Sequence, residues 1–420
     1  MSAYDVLTKF FDEGSFNETD ALLKSNGGDA EVVSGYGTVD GVNVYAFCQN
    51  VDCCGGAMSI AQAKKIKKIY DFALKTGSPV VGFYDSIGGR IEDKEIMNSY
   101  GEILNKATSL SGVVPQISVV LGTCLGTSAL TAASADFLIM KKDASLSINT
   151  SSDSSDSETN AKYGIANVVC DSEEDCIEKA KALLSYFPEN NLEMAPSYTE
   201  CFDTEDGDCL CCSFIDKDSK LPINEKFVDS VKTLFARVNG MSVGIINAKS
   251  DMIDCKGAEK ITKMVKFCDA FSIPVITLVS AKEFQCVKCA SKVTSVYAEA
   301  TTAKISIVNK QAIGSTYIAL CGASANCDMV YAMEDAIVSP VSPLAAAFIL
   351  DSDNMNVSVE ERENKANEFV KSNLSAVNAA ENGYVDDVLT KDTLRAKVIS
   401  SLETLVSKRI STLPKKHTTV

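Results

Sequence analysis

Two segments of this 420-residue chain place a glycine where a buried apolar run meets a helix-like stretch: GTCLGTSAL from Gly122 and KQAIGSTYIAL from Lys310. A glycine there lets the backbone approach a ligand closely, and the first N–H groups of the following helix have no intrahelical acceptor. They are free to meet developing negative charge. Removing one such donor from a known oxyanion site costs about 2.7–4 kcal/mol of transition-state stabilisation. Gly126 with Thr127, and Gly314 with Ser315 and Thr316, are therefore candidate catalytic groups acting through the main chain. Tight strand–helix packing is the competing reading of each glycine. Gly55-Gly56 before Ala57, and Gly88-Gly89 before Arg90, also follow presumed strands and are candidates for holding phosphate through backbone N–H groups. Neither has P-loop or dinucleotide-fingerprint spacing, and a plain turn accounts for each.

Other chemistry is narrowed by what the chain lacks. The single histidine, His417, lies three residues from the end, which removes Ser-His-Asp hydrolysis and histidine-bound zinc. Cys286-Val-Lys-Cys289 has metal-type spacing, and Cys209, Cys211 and Cys212 offer further thiols, but no sequence rule brings the two groups together. With sixteen cysteines, small apolar fillers are the expected role, and no metal is expected. A net charge of -16 and a pI near 4.7 argue against nucleic acid, whose binding rests on clustered Lys and Arg. The start MSAYDVLTKFFDEG has neither the basic nor the apolar region of a signal peptide, so a cytoplasmic protein is expected. The uncharged stretch Gly112 to Ser134 is broken by Pro115, Gln116, Gly122 and Gly126, and reads as strand, loop and buried helix rather than as a membrane insertion. The Ser/Asp run from Ser151 to Thr159 reads as a lid or a solvated loop.

The elements that must position these groups are written twice. GVNVYAFCQN from Gly41 is followed by a helix with apolar spacing at Ile66, Ile69, Tyr70 and Ala73, a turn at Gly77 to Pro79, and the strand VVGFYDS. GMSVGIINAK from Gly240 is followed by a helix with Ile261, Met264, Val265 and Cys268, then Ser272-Ile273-Pro274 and VITLVS. Ile117 to Val120 matches Ile305 to Val308, and Gly126 matches Gly314. Asp136 and Asp328 each precede a short apolar strand, and GIANVV from Gly164 matches GYVDDV from Gly383. Alternating strands and helices predict an α/β chain with one parallel sheet per half. The region Pro188 to Lys226 reads as the boundary, and residues after Pro343 as a helical cap.

VVSGYGTVDGVNVYAF, KIYDFALKTGSPVVG, SGVVPQIS, LLSYFPENN, FARVNGMSVGI, CDAFSIPVITLV, YAEATTAKISIV and the tail LPKKH occur in this order. Together they resemble the carboxyltransferase (beta-type) subunits of biotin-dependent acyl-CoA carboxylases and related decarboxylases, from about Asp12 to His417. The resemblance implies two tandem crotonase-like domains related by duplication: residues 1–200 on the acyl-CoA side, a linker over 201–225, and 226–420 on the biotin side. It implies carboxyl transfer between carboxybiotin, borne on a separate carrier protein, and the alpha carbon of a short acyl-CoA, with biotin itself accepting the alpha proton. Gly126 and Thr127 would then hold the thioester enolate, and Gly314, Ser315 and Thr316 the ureido oxygen. Gly55, Gly56, Ala57, Gly88, Gly89 and Arg90 become candidates for contacting coenzyme A. The implied partners are a biotin carboxyl carrier protein, biotin carboxylase or related subunits, and further copies in dimer-based trimers or hexamers, or a paralogue. The pattern also departs from that family. Gly-Thr-Ser and Gly-Ser-Thr replace Gly-Gly-Ala at the two turns, SAKEFQCVKCASK replaces a Pro-Gly-rich loop after Val279, the segment after Ile148 is shortened, and Ser339-Pro340 replaces Met-Gly. The alternative expectation is therefore a non-catalytic, structural subunit assembling with an active paralogue.

Overall fold

The computed structural model describes residues 1–25, 28–149, 155–198, 203–350, 358, 360–361, 364, 368–369 and 374–410. The chain divides into two compact units, Met1–Pro196 with Ile223–Phe227, and Ser197–Pro222 with Val228–Val420. The main sheet of each carries, next to a short edge strand, a hairpin whose turn chemistry is visible in the sequence. Asp40-Gly41 joins Val32–Val39 to Val42–Gln49, and Asn239-Gly240 joins Val231–Val238 to Met241–Ala248. The φ angles, 50° and 79° in the first turn and 51° and 79° in the second, are those a two-residue hairpin turn demands and Asp/Asn-Gly tolerates. One carboxylate secures each turn: Asp12 accepts from Asp40 N and Gly41 N, both at 3.0 Å, and Asp216 accepts from Asn239 N at 2.9 Å and Gly240 N at 2.7 Å.

Parallel strands follow in both units. In the first, Val42–Gln49 pairs with Val80–Ser86, then Gln116–Leu125, Phe137–Lys141 and Val168–Cys170. In the second, Met241–Ala248 pairs with Val275–Ala281, then Lys304–Ile313, Met329–Met333 and Asp387–Leu389. The helices Ile60–Thr76 and Cys255–Ala270 cross between strands, and every residue assigned to their apolar faces from spacing is buried. The last strands of each sheet are fixed by matching side chains. Asp136 accepts from Gln116 N at 2.9 Å and Asp328 from Lys304 N at 2.8 Å; Asn167 accepts from Leu138 N at 2.6 Å and Asp386 from Val330 N at 2.7 Å. Gln116 Nε2 donates to the Ala107 carbonyl, while Lys304 Nζ donates to those of Tyr297 and Ala300, so one strand position closes the end of the preceding helix in each unit.

Between Val80–Ser86 and Gln116–Leu125 the register jumps: Tyr84 pairs with Val120, but Ser86 pairs with Cys124. The same two-residue excess recurs where Val279 pairs with Val308 and Ser280 with Gln311. A bulge of this kind bends the strand, and beyond it Thr123–Leu125 pairs with Ser145–Ser147, as Gln311–Ile313 does with Ile337–Ser339. The loop expected inside Gly112–Ser134 is therefore strand as far as Leu125. Residues 203–222 carry a short 3-10 helix, Leu210–Ser213, and Phe214 and Ile215 are buried in the second unit's core with Ile245, Ile276 and Leu394. The region after Pro343 holds the helices Pro343–Leu350, Ala376–Glu381 and Lys391–Leu405 around the strand Asp387–Leu389. Among the described residues no helix is long and apolar enough to cross a membrane. His417 and residues 151–154 of the Ser151–Thr159 run lie outside the described residues; in the described part of that run Asp156 caps the helix Ser157–Lys162.

Candidate functional site

Past each bulge the strand ends at a glycine that a helix follows directly. Gly126 has φ 62° and ψ -133° and precedes Thr127–Ala133; Gly314 has φ 50° and ψ -117° and precedes Ser315–Leu320. These angles belong to a region open essentially to glycine alone. Each glycine N–H is taken by the neighbouring short strand, Gly126 N by Ser147 O at 2.9 Å and Gly314 N by Ser339 O at 2.8 Å. The next amides, of Thr127 and Ser128 and of Ser315 and Thr316, have no intrahelical acceptor, and no side chain caps either helix. Thr127 is the first helical residue; Gly126 takes the positive φ, so the β-branched side chain meets no backbone conflict.

The surroundings of the two turns differ. A methyl group placed on Gly126 meets nothing within 4 Å, whereas on Gly314 it would lie 3.0 Å from the Pro340 carbonyl oxygen. Beside the first turn, Gln49 Oε1 accepts from Asp85 N at 3.2 Å and Gln49 Nε2 lies 3.5 Å from Ser128 Oγ. The Asp85 carboxylate accepts from Thr123 N at 3.0 Å and lies over Gly122, where a methyl group would come within 2.4 Å of it. Burial pushes the Asp85 carboxyl above the ordinary carboxylate range, with the Thr123 N–H opposing. The corresponding second-unit positions are Ala248, Thr316 and Ser280. The Ser280 and Thr316 hydroxyls are buried with no hydrogen-bond partner among the described residues. Asp85 was not a sequence candidate, since a lone acidic residue at the end of an apolar strand carries no spacing signal.

The two Gly-Gly turns of the first unit come together. Met58 N donates to Gly88 O at 2.7 Å and Arg90 N to Met58 O at 2.9 Å, and a methyl group on Gly88 would lie 3.7 Å from the Leu125 carbonyl, one residue before Gly126. Gly56, at φ 67°, is pressed against the Asp85 carbonyl, where a methyl group would come within 2.0 Å. The N–H groups of Gly56, Ala57 and Gly88 have internal acceptors, in Cys53 O, Cys54 O and Ser86 Oγ. Arg90 is held 2.5 Å from the fully buried Glu31 carboxylate, which also accepts from Ser25 Oγ at 2.9 Å and Ser59 Oγ at 2.5 Å. This arrangement suits a rigid double turn beside the first glycine better than an open phosphate cradle.

Among the described residues the site offers neither a histidine nor an activated thiol; burial raises the thiol of Cys124, in the first turn, far from ionisation. What the two turns offer is uncapped main-chain N–H groups, donors of the kind that can meet an anionic or strongly polarised oxygen. A family model for the carboxyl transferase domain matches residues 2–420. The chain belongs to the carboxyl transferase domain family. Among its relatives are the methylmalonyl-CoA decarboxylase alpha subunit of Veillonella parvula, 32% identical over 99% of this chain and 92% of that protein, and the mitochondrial propionyl-CoA carboxylase beta chain of Sus scrofa, 28% identical over 100% and 88%. A solved transcarboxylase 12S structure, described as a hexamer assembly with hydrolysed methylmalonyl-coenzyme A bound, superimposes with a TM-score of 0.92 at 29% identity over 99% of this chain and 92% of its own. The tandem crotonase-like architecture expected from the carboxyl transferase resemblance is thereby borne out. The alignment to the Veillonella subunit runs to 474 positions against 420 residues, in keeping with shortened segments in this member of the family.

Proposed function

We propose that this chain is a carboxyltransferase subunit that moves a carboxyl group between carboxybiotin, on a separate carrier protein, and the alpha carbon of a short acyl-CoA. The observation that carries this reading is the pair of glycine turns of like geometry, each releasing uncapped amides past the same strand bulge. The acyl-CoA is assigned to the first turn, where the Thr127 amide holds the thioester oxygen as it gains charge. Room beside Gly126 and a cavity of about 270 Å³ along the same helix, lined by residues including Ala129, Leu130, Leu146 and Tyr163, support that assignment. Biotin is assigned to the second turn. A ureido group presents both a carbonyl oxygen and an N–H, and this turn presents both kinds of partner, the Ser315 and Thr316 amides and the Pro340 carbonyl. When bound there, biotin would supply the carboxyl carrier and the acceptor for the alpha proton, which fits a site with neither a histidine nor an activated thiol among the described residues.

The relatives' printed substrates make methylmalonyl-CoA the first compound to try. Purified chain with methylmalonyl-CoA and a biotinylated carrier domain is expected to release propionyl-CoA only when biotin is present. The Pro340 carbonyl beside Gly314 favours one second reading, a structural subunit whose biotin turn is closed. Binding of coenzyme A without turnover, with activity appearing only on addition of an intact paralogue, would establish that reading instead. Assembly into dimer-based trimers or hexamers in the cytoplasm belongs to the same proposal.

A further inference from the structure

We propose that Cys255, Cys286 and Cys289 form a site for a thiophilic divalent cation, zinc being the ion the donor set suits. Their sulfur atoms all lie within 4.8 Å of one another. Cys255 and Cys286 are 3.6 Å apart at sulfur, and Cys286 and Cys289 are 3.2 Å apart. Three thiolates on a tetrahedral zinc, with bonds near 2.3 Å, place their sulfurs roughly 3.8 Å apart, so small side-chain rotations admit the ion. Cys255 and Cys289 also stand at disulfide distance, with Cα atoms 5.5 Å apart, and the alternative state of the cluster is that bridge. A bridge uses two sulfurs and leaves Cys286 in contact with both; one cation uses all three.

The sulfurs are carried on the starts of two helices. Cys255 opens the helix Cys255–Ala270, and Cys286 caps the helix Val287–Glu299, whose third residue is Cys289. Two N-terminal helix ends thus meet at the cluster. Cys289 N donates to Cys286 Sγ at 3.4 Å, and Gln285 Oε1 accepts from Cys255 N at 3.0 Å, fixing the arms that carry the ligands. Cys289 is buried while Cys255 is exposed, which leaves an approach for the ion and for a water as fourth ligand. Nothing in the duplicated fold requires this cluster. In the first unit Ile60 stands where Cys255 stands here, with its N–H held by Asp93 at 3.1 Å in place of Gln285.

The bound ion would join the starts of two helices across the short sheet of Met252–Ile253 and Glu283–Phe284. That sheet is tied to the second glycine turn: Asp251 O accepts from Lys282 N at 2.7 Å, and Asp251 Oδ1 accepts from Gln311 Nε2 at 2.7 Å, three residues before Gly314. The cation replaces, as a clamp, the loop that SAKEFQCVKCASK has displaced.

The test uses the full chain purified under reducing conditions. Cobalt added to metal-free wild type should give thiolate-to-cobalt charge transfer and intense visible bands of a tetrahedral site, displaced by zinc. Cys286→Ser and Cys289→Ser should each lose one equivalent of bound zinc. Cys211→Ser, in the separate Cys209–Cys211–Cys212 trio, should keep the bands assigned to Cys286. The Cys211→Ser spectrum reports the Cys255–Cys286–Cys289 cluster with its three sulfurs intact, so an unfolded Cys286 or Cys289 variant does not remove the test, and loss of the bands in Cys211→Ser overturns the proposal. Zinc content unchanged in both variants overturns the proposal. So does wild type that binds no cobalt and yields a Cys255–Cys289 cross-linked peptide under non-reducing conditions.

Discussion

The two glycine turns share backbone angles, a strand bulge and an anchoring bond to a short strand, yet one is open and the other is walled. Gly126 faces free space and is surrounded by a satisfied polar network through Gln49, Ser128 and Asp85. Gly314 faces the Pro340 carbonyl and has two buried hydroxyls, of Ser280 and Thr316, without partners. Duplication preserved what the backbone needs and released what the side chains do, and the proposed assignment of acyl-CoA to one turn and biotin to the other rests on that difference. A filled network holds the first turn ready without a ligand, while the unpaired hydroxyls of the second cost stability until something meets them.

The largest expected effect comes from Gly126→Ala. The added methyl group has room, so the change acts only through φ, and moving the Thr127 amide should lower kcat for an acyl-CoA about 10²–10³-fold. Gly314→Ala should instead spare acyl-CoA binding and slow transfer to biotin; steady-state kinetics with each substrate varied separate the two, and equal effects on both substrates break the comparison. Next, Asp216→Ala should cost about 3 kcal/mol in denaturant unfolding, because it strips the buried carboxylate from Arg395, 2.8 Å away, as well as from the hairpin turn. Its counterpart Asp12→Ala, at an exposed turn, should cost no more than about 1 kcal/mol.

Lys304→Met and Gln116→Leu each remove a helix-end donor and should each cost about 1–3 kcal/mol. Only the first should change the pH dependence. Burial, with Lys408 nearby, pushes the Lys304 amine down to about 8. Below that value both folded and unfolded chains hold the proton; between it and the ordinary lysine value only the unfolded chain does, so this group's contribution to stability rises with pH. Wild type should therefore gain on Lys304→Met between about pH 8 and about pH 10, as read from denaturant midpoints. Parallel profiles would contradict the buried amine. The smallest effect is the pH response of Asp12, whose carboxyl the Thr38 side chain and then the Gly41 N–H hold below the ordinary range. Its contribution is present above that range and lost as pH falls through it, so the margin over Asp12→Ala should shrink in acid.

Much of this was legible in the chain. Apolar spacing located both crossing helices, and Asp-Gly and Asn-Gly marked the hairpins because those residues tolerate positive φ. The repeat itself paired Asp136 with Asp328 and Gly126 with Gly314. The wall at Gly314 was not readable, since Pro340 reaches it through the strand Ile337–Ser339 rather than through local sequence. Asp85 was hidden for a similar reason: its neighbours, Gly122 and Thr123, come from the next strand, past a bulge that no residue pattern announces. Cys286 and Cys289 were recognised by spacing, but their partner proved to be Cys255, on another helix, and not the Cys209 group.

The central claim is that the first turn polarises the acyl thioester through main-chain N–H groups. Isotope-edited infrared spectroscopy of a thioester-labelled acyl-CoA bound to the chain tests it directly. The carbonyl stretch should fall on binding to wild type and to Gly314→Ala, and return to its solution value in Gly126→Ala. A bound carbonyl that is unshifted in wild type, or shifted equally in Gly126→Ala, would contradict the account.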